Sequence, residues 1–353
     1  MKKTSRFKDI EKTKSNHESN VEKNSSKTER ILWPDIAKGI SILLVVLWHA
    51  KVDGEGSMTY INNINEGLIF LRMPLFFFVS GFFISKSLNK KWKVFFELKI
   101  SNLIYLFLVW GIINDFMMST LPKLIGGYGF EMRNPLMFFI EPPATLWFIY
   151  ALSIGFVVMK IVYKAPIWLM LPLMFACYYF AALNGEWRSV PFIVKLGRLI
   201  PYMYLGLISF DWIKIRIGLV YKYFSPMILF LPFVFYKLML SDYTANPIIT
   251  CIASLSGLLI LLSFSYHISH TSVGKVIDRA GKNSLYIYVM HKIPIRYSKF
   301  ALSIFNKIDP ILVFVGLFLV GVTIPLLIRR YLVKGRVVHL FKSPLMKKRT
   351  MVQ

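Results

Sequence analysis

Apolar stretches of about twenty residues recur along this chain from residue 31 to residue 330. That length matches a helix crossing the hydrocarbon layer of a bilayer. Inside lipid, every backbone N–H and C=O must find a partner within the protein, so only helices and closed barrels cross it. A barrel strand would be about ten residues of alternating polarity. Runs such as Met-Pro-Leu-Phe-Phe-Phe-Val at 73–79 do not alternate. The expectation is therefore an all-α polytopic membrane protein. Ten spans are read: 31–50, 66–85, 100–118, 145–163, 166–183, 191–210, 219–239, 246–265, 283–300 and 310–330. The sixth is atypical in carrying Lys195 and Arg198. The ninth is interrupted by Lys292, Pro294 and Arg296.

The formal net charge of +25 invites a nucleic-acid reading. Its distribution argues for a membrane instead. Lys and Arg gather in the two tails and in every second loop, as the positive-inside rule requires of a cytoplasmic side. Both termini are therefore expected in the cytoplasm, with a lipid bilayer as partner and no nucleic acid. Residues 1–29 are polar and mixed in charge, a composition that does not build a core and is too long and mixed for the n-region of a secretory signal. They read as a disordered basic tail. Residues 30–335 form the membrane domain and 336–353 a second basic tail. Cys177 and Cys251 lie in apolar runs without motif spacing, so they read as buried structural thiols, with no disulfide and no metal site.

Ionisable residues inside the first span narrow the function. Asp, Lys and Arg at a helix centre disfavour insertion by roughly 2.5–3.5 kcal/mol, and this span holds Asp35, Lys38 and His49. Eleven residues make three helical turns plus about 20°, with a rise of about 16 Å. Lys38 and His49 thus share a face at different depths, and Asp35 lies one turn before Lys38. On the expected topology, His49 is near the outer surface. Arg72, six residues into the second span, is within a turn or so of its depth. Neutral imidazole can serve as a general base. Plainer readings stand beside this one. Asp35 and Lys38 fit an i,i+3 ion pair at the interface with Lys38 snorkelling. His49 fits a ring bonded to a loop carbonyl, and Arg72 a structural pairing. Trp147 and Tyr150 fit an aromatic belt.

The string Asp35-Ile-Ala-Lys38-Gly39, an apolar run, then Trp48-His49 resembles the opening of the bacterial membrane acyltransferase-3 family. Its Lys form resembles the fucose 4-O-acetylase-like branch. Three more segments follow in family order: Arg72-Met-Pro-Leu-Phe-Phe-Phe-Val-Ser80-Gly81-Phe82, Thr145-Leu-Trp147-Phe-Ile-Tyr150, and Asn283-Ser284-Leu-Tyr286-Ile-Tyr288-Val-Met-His291. The resemblance implies about ten helices in the bacterial cytoplasmic membrane. It also implies transfer of an acyl group, most often acetyl from acetyl-CoA, to a glycan acceptor, with no bound cofactor. It makes His49 the essential histidine and puts Lys38 in the family's basic position. The catalytic set expected is His49, Lys38, Asp35 and Arg72. Trp147, Tyr150, Ser80 and His291 are expected to meet the acceptor.

Two departures stand out. The branch often has His where this chain has Arg72. Many members carry Arg-x-x-Arg where this chain has Lys99-Ile-Ser-Asn102. The donor's phosphates would then be gripped by Lys99 with Lys90, Lys91 and Lys93. The competing class is a transporter or exporter of a glycan or lipid. Transporters are often built from inverted repeats with paired broken helices, and no second copy of the Asp-Lys-His stripe occurs in the C-terminal half. The topology has a direct test. A reporter fused after residue 340 should read as cytoplasmic, and an external signal would overturn the orientation.

Overall fold

The computed structural model describes residues 31–52, 56–124, 134–143, 146–184, 191–224, 226–227, 246–303, 308–333 and 335–344. The chain divides into a short unit, Met1–Leu32, and a body, Trp33–Gln353, to which all the described helices belong. Among the described residues, the regular structure is entirely helical. Its principal helices are α1 (Trp33–His49), α2 (Ser57–Gly67), α3 (Ile69–Leu88), α4 (Ser101–Leu124), α5 (Trp147–Val162), α6 (Ile167–Ala182), α7 (Phe192–Phe224), α8 (Pro247–His267), α9 (Ser272–Lys282), α10 (Ser284–Met290), α11 (Lys292–Ser303) and α12 (Pro310–Tyr331).

Among the described residues, five stretches are long and apolar enough to cross a bilayer: Met58–Leu88, Trp92–Ser119, Phe192–Phe224, Pro247–His270 and Pro310–Tyr331. The shorter helices α5 and α6 are also apolar. The seventh expected span, 219–239, lies mostly outside the described residues, as do most of both expected tails.

Local chemistry sets where several helices start. Asn246 and Asp309 each precede a Pro at the first helical position. Their side chains accept from the exposed N–H groups of Ile248 (2.9 Å) and Ile311 (2.8 Å). Proline there gives up a donor that would be unpaired anyway. Pro294 has the opposite effect inside the ninth expected span. It leaves the Met290 carbonyl without its helical donor, and the helix is interrupted at His291 between α10 and α11.

Two close crossings hold the centre together. A Cβ added to Gly281 of α9 would run into the Asp35 carbonyl of α1, and one on Gly39 into the Ile277 carbonyl. The two backbones therefore touch. Gly81 of α3 and Gly206 of α7 make an equivalent contact with the Met203 and Phe78 carbonyls. Small residues permit such approach between membrane helices. The segment between the eighth and ninth expected spans is thus largely a helix packed on the start of α1. Pro74, inside α3, frees the carbonyl of Phe70, and the Ser254 hydroxyl of α8 donates to it at 2.6 Å.

Two expectations change. Cys177 is exposed and Cys251 only half-buried. Helix α6 is apolar on every face, so its sequence carries no stripe to show which side turns inward. The segment expected to begin the C-terminal tail folds back on α4. There Trp110 donates to the Leu340 carbonyl (2.9 Å), Ser343 donates to the Asn102 side chain (2.9 Å), and Phe341 is buried against Trp110 and Tyr286.

Ser254→Ala should strand the Phe70 carbonyl and destabilise the fold by about 1–3 kcal/mol. Gly281→Val should do more damage, because the neighbour it strikes is backbone. Thermal unfolding of the detergent-solubilised protein measures both, and a wild-type melting temperature for Gly281→Val would remove the close-contact account.

Candidate active site

The site begins where α1 ends. Arg72 is 3 % exposed, and a buried guanidinium needs partners. Its Nη2 donates to the carbonyl of Asn65 on α2, and its Nη1 to the carbonyl of Leu44 on α1 (3.5 Å). The plane of the group lies 4.7 Å from the Trp48 ring centroid, a cation–π contact. The Ser41 hydroxyl donates to the backbone carbonyl of Arg72 at 2.6 Å. Asn65 also donates to the Leu47 carbonyl (3.0 Å), and Asn62 to that of Val52 (2.9 Å). Lys51 pairs with Glu66 at 2.7 Å. Helix α2 thus binds the chain just before and after His49.

His49 is half-buried at the last position of α1. Its ring lies 5.0 Å from that of His291, tilted by 41°. The cations that act on it are Lys292, Arg72 and Lys299. From His291 a run of rings leads to the start of α5. Tyr288 lies 6.0 Å from His291, Phe148 lies 5.2 Å from Tyr288, and Trp147 lies 6.1 Å from Phe148. Phe148 also packs edge-on against Phe76 and Phe77 of α3. All four motif segments meet here, although hundreds of residues separate the first from the last; Thr145 of the third lies outside the described residues.

The other end of α1 is built differently. Lys38 places its ammonium 5.0 Å from the centroid of the Phe83 ring, and Lys99 donates to the Phe83 carbonyl at 2.9 Å. Lys38 and Lys90 are the charges that act on Lys99. Three cations thus gather near the end of α3. Lys90, Lys91 and Lys93 are exposed. Asp35 is buried where α1 crosses α9.

The remaining expected residues are dispersed. Ser80 is buried inside α3, about 12 Å along the axis from Arg72. Lys195 lies over the Trp147 ring at 5.4 Å. Tyr150 has Phe107 stacked at 4.9 Å and Phe192 at 5.1 Å, so its ring faces are covered and its hydroxyl is the part left for contact. A cavity of 470 Å³ between α6, α7 and α8, lined by Pro172, Met174, Tyr202 and Leu255 among others, is apolar and holds none of these groups.

The family model for an acyltransferase domain matches residues 31–330. The chain belongs to the acyltransferase-3 family. Among curated proteins and among solved structures, nothing matches. The match spans the helices that carry the histidine pair and the lysine cluster of this membrane acyltransferase.

Several contributors escape the sequence. Asn65 and Trp48 hold Arg72. Asn65 sits in a polar stretch with no hydropathy signal, and Trp48 is legible only as the residue beside His49. Lys160 is buried at the far end of α3. It donates to the Leu88 carbonyl and, at 2.7 Å, to that of Lys90, with Trp92, Phe95 and Tyr163 around it. By position it reads as an ordinary loop charge, yet it closes the helix end beside the lysine cluster.

Arg72→Lys keeps the charge but loses the fork to two carbonyls and the flat contact with Trp48. Hydrogen bonds to a charged group contribute about 1.5–3 kcal/mol, so acyl transfer should fall by about tenfold or more. Transfer rates in isolated membranes measure this. Full activity would mean that the site needs only a positive charge there.

Proposed function

We propose that this acyltransferase moves an acetyl group from acetyl-CoA to a sugar hydroxyl, on a surface polysaccharide or its lipid-linked precursor. Its setting is the bacterial cytoplasmic membrane, as in the fucose 4-O-acetylase-like branch. The observation that carries this reading is the layout of α1. A basic cluster of Lys38, Lys99 and Lys90 stands at one end and the His49–His291 pair with Arg72 at the other, about 16 Å apart along the helix.

Coenzyme A is long, with an anionic head and a reactive thioester at its far tip. The lysine cluster suits the phosphates, leaving the arm to run beside α1 towards His49. His49 acts as the general base on the acceptor hydroxyl. As the oxygen attacks the thioester carbonyl, negative charge grows on the carbonyl oxygen. The cationic surroundings supplied by Arg72, Lys292 and Lys299 favour that charge. Trp147, joined to the histidines by Phe148 and Tyr288, offers an aromatic surface for a sugar ring. Transport of a glycan or lipid explains the intramembrane charges less well, since it gives no role to a histidine pair and the family's chemistry is group transfer.

His49→Ala should abolish acetylation while leaving the protein in the membrane. Mass spectrometry of surface glycans from wild-type, deletion and His49→Ala strains reads the added acetyl mass directly. Retention of that mass in the mutant would remove the central claim. The double variant Lys38→Ala, Lys99→Ala should raise KM for acetyl-CoA by about tenfold or more, the equivalent of about 1.4 kcal/mol of lost phosphate contact. An unchanged KM would place the donor elsewhere.

A further inference from the structure

One buried polar atom beside His49 is not accounted for by proton transfer to that ring. His291 is 1 % exposed, at the junction of α10 and α11. Its Nδ1 lies 2.8 Å from the Tyr288 carbonyl and 3.1 Å from the Ile287 carbonyl. Carbonyl oxygens only accept, so Nδ1 carries the ring proton and Nε2 is a bare lone pair. Nε2 is buried and has no hydrogen-bond partner among the described residues. A stranded buried acceptor costs about 1–3 kcal/mol and asks for an explanation. The Nδ1 edge turns back on its own helix, which leaves the Nε2 edge pointing away from it. The His49 ring lies 5.0 Å from the His291 ring.

We infer that His291 is a positioning residue for His49, and that its Nε2 accepts a ring N–H of His49 when the substrates are bound. This rests on the acetyl-transfer reading above. The bond determines which His49 nitrogen keeps its lone pair for the acceptor hydroxyl. In many hydrolases a carboxylate takes the far N–H of the catalytic histidine. The groups that act on His49 here are His291 and the cations Lys292, Arg72 and Lys299, and a neutral imidazole fills that place. Catalytic hydrogen bonds commonly tighten only in the loaded complex.

In the transfer step the acceptor oxygen attacks the thioester carbonyl carbon, the O–C bond forms and the C–S bond breaks. His49 takes the hydroxyl proton and returns it to the departing thiolate. His291 neither gains nor loses a proton. It accepts from His49 while its own N–H donates to the Tyr288 and Ile287 carbonyls, so the charge on a protonated His49 is shared along a hydrogen-bonded chain. A sugar-binding role fits His291 poorly, because almost none of its surface is open.

The test compares wild type, His49→Ala, His291→Ala, His291→Gln and His291→Asn as purified full-length proteins. Acetyl-CoA is the donor and glycan from a strain lacking the gene is the acceptor. His291→Ala should lose about a hundredfold or more in kcat, with KM for the glycan within about twofold of wild type. Gln can present an oxygen near the Nε2 position and should recover at least about tenfold over Ala; Asn is too short to do so. Wild-type kcat in His291→Ala, a change confined to KM, or equal Gln and Asn variants would overturn the inference. If His291→Ala does not fold, the Gln–Asn comparison alone decides. An active wild type with inactive His49→Ala but active His291→Ala leaves the acetyl-transfer reading standing without this role. A wild type that transfers no acetyl group overturns both.

Discussion

The buried guanidinium of Arg72 organises this end of the molecule. A charge at this depth is tolerated only where donors and acceptors surround it. Its partners come from three directions: the Asn65 carbonyl on α2, the Leu44 carbonyl on α1 and the Trp48 ring. Together they tie α1 and α2 to the start of α3. The Asn65 side chain adds a bond to the Leu47 carbonyl in the last turn of α1, where carbonyls run out of helical donors. The Trp48 contact fixes the residue next to His49. Removing the arginine would loosen the end of α1, the packing of α2 and the placement of the histidine together.

That arrangement gives α1 two chemically distinct ends. Its first half is pressed backbone to backbone against α9, which leaves no room for a ligand on that face. Lys38 instead reaches along α3 to Phe83, beside Lys99. At the other end, His291 stands at the junction of α10 and α11 with helical backbone dihedrals, and its ring lies beside that of His49. The cationic cluster and the imidazole pair thus stand about 16 Å apart along α1.

Parts of the site are legible in the residue order itself. Spacing alone puts Lys38 and His49 on one face and Arg72 near the depth of His49, because helical rise and pitch are fixed by the backbone. The grouping of Lys99 with Lys90 follows from the basic loop. Tyr150 is legible as an aromatic near the acceptor side but not as a ring stacked between Phe107 and Phe192. Those partners lie on α4 and just inside α7, and no local pattern links them. Asn65 is invisible, because it acts through its backbone carbonyl, which every residue possesses. The packing of residues 335–344 on α4 is hidden for a similar reason: Trp110 and Tyr105 bond to carbonyls whose side chains advertise nothing.

Hydropathy and charge are enough to establish a helical membrane protein, to locate most of its apolar helices and to single out the polar residues of α1 as candidates. These are consequences of single-residue transfer energies and of helix periodicity, and both are local. Which polar groups touch is not local. His291 lies 242 positions from His49 in the sequence, and the packing of the helices brings the two rings within 5.0 Å. Burial, tautomer and orientation of that second histidine follow from packing among helices distant in the chain, and only the assembled fold contains them.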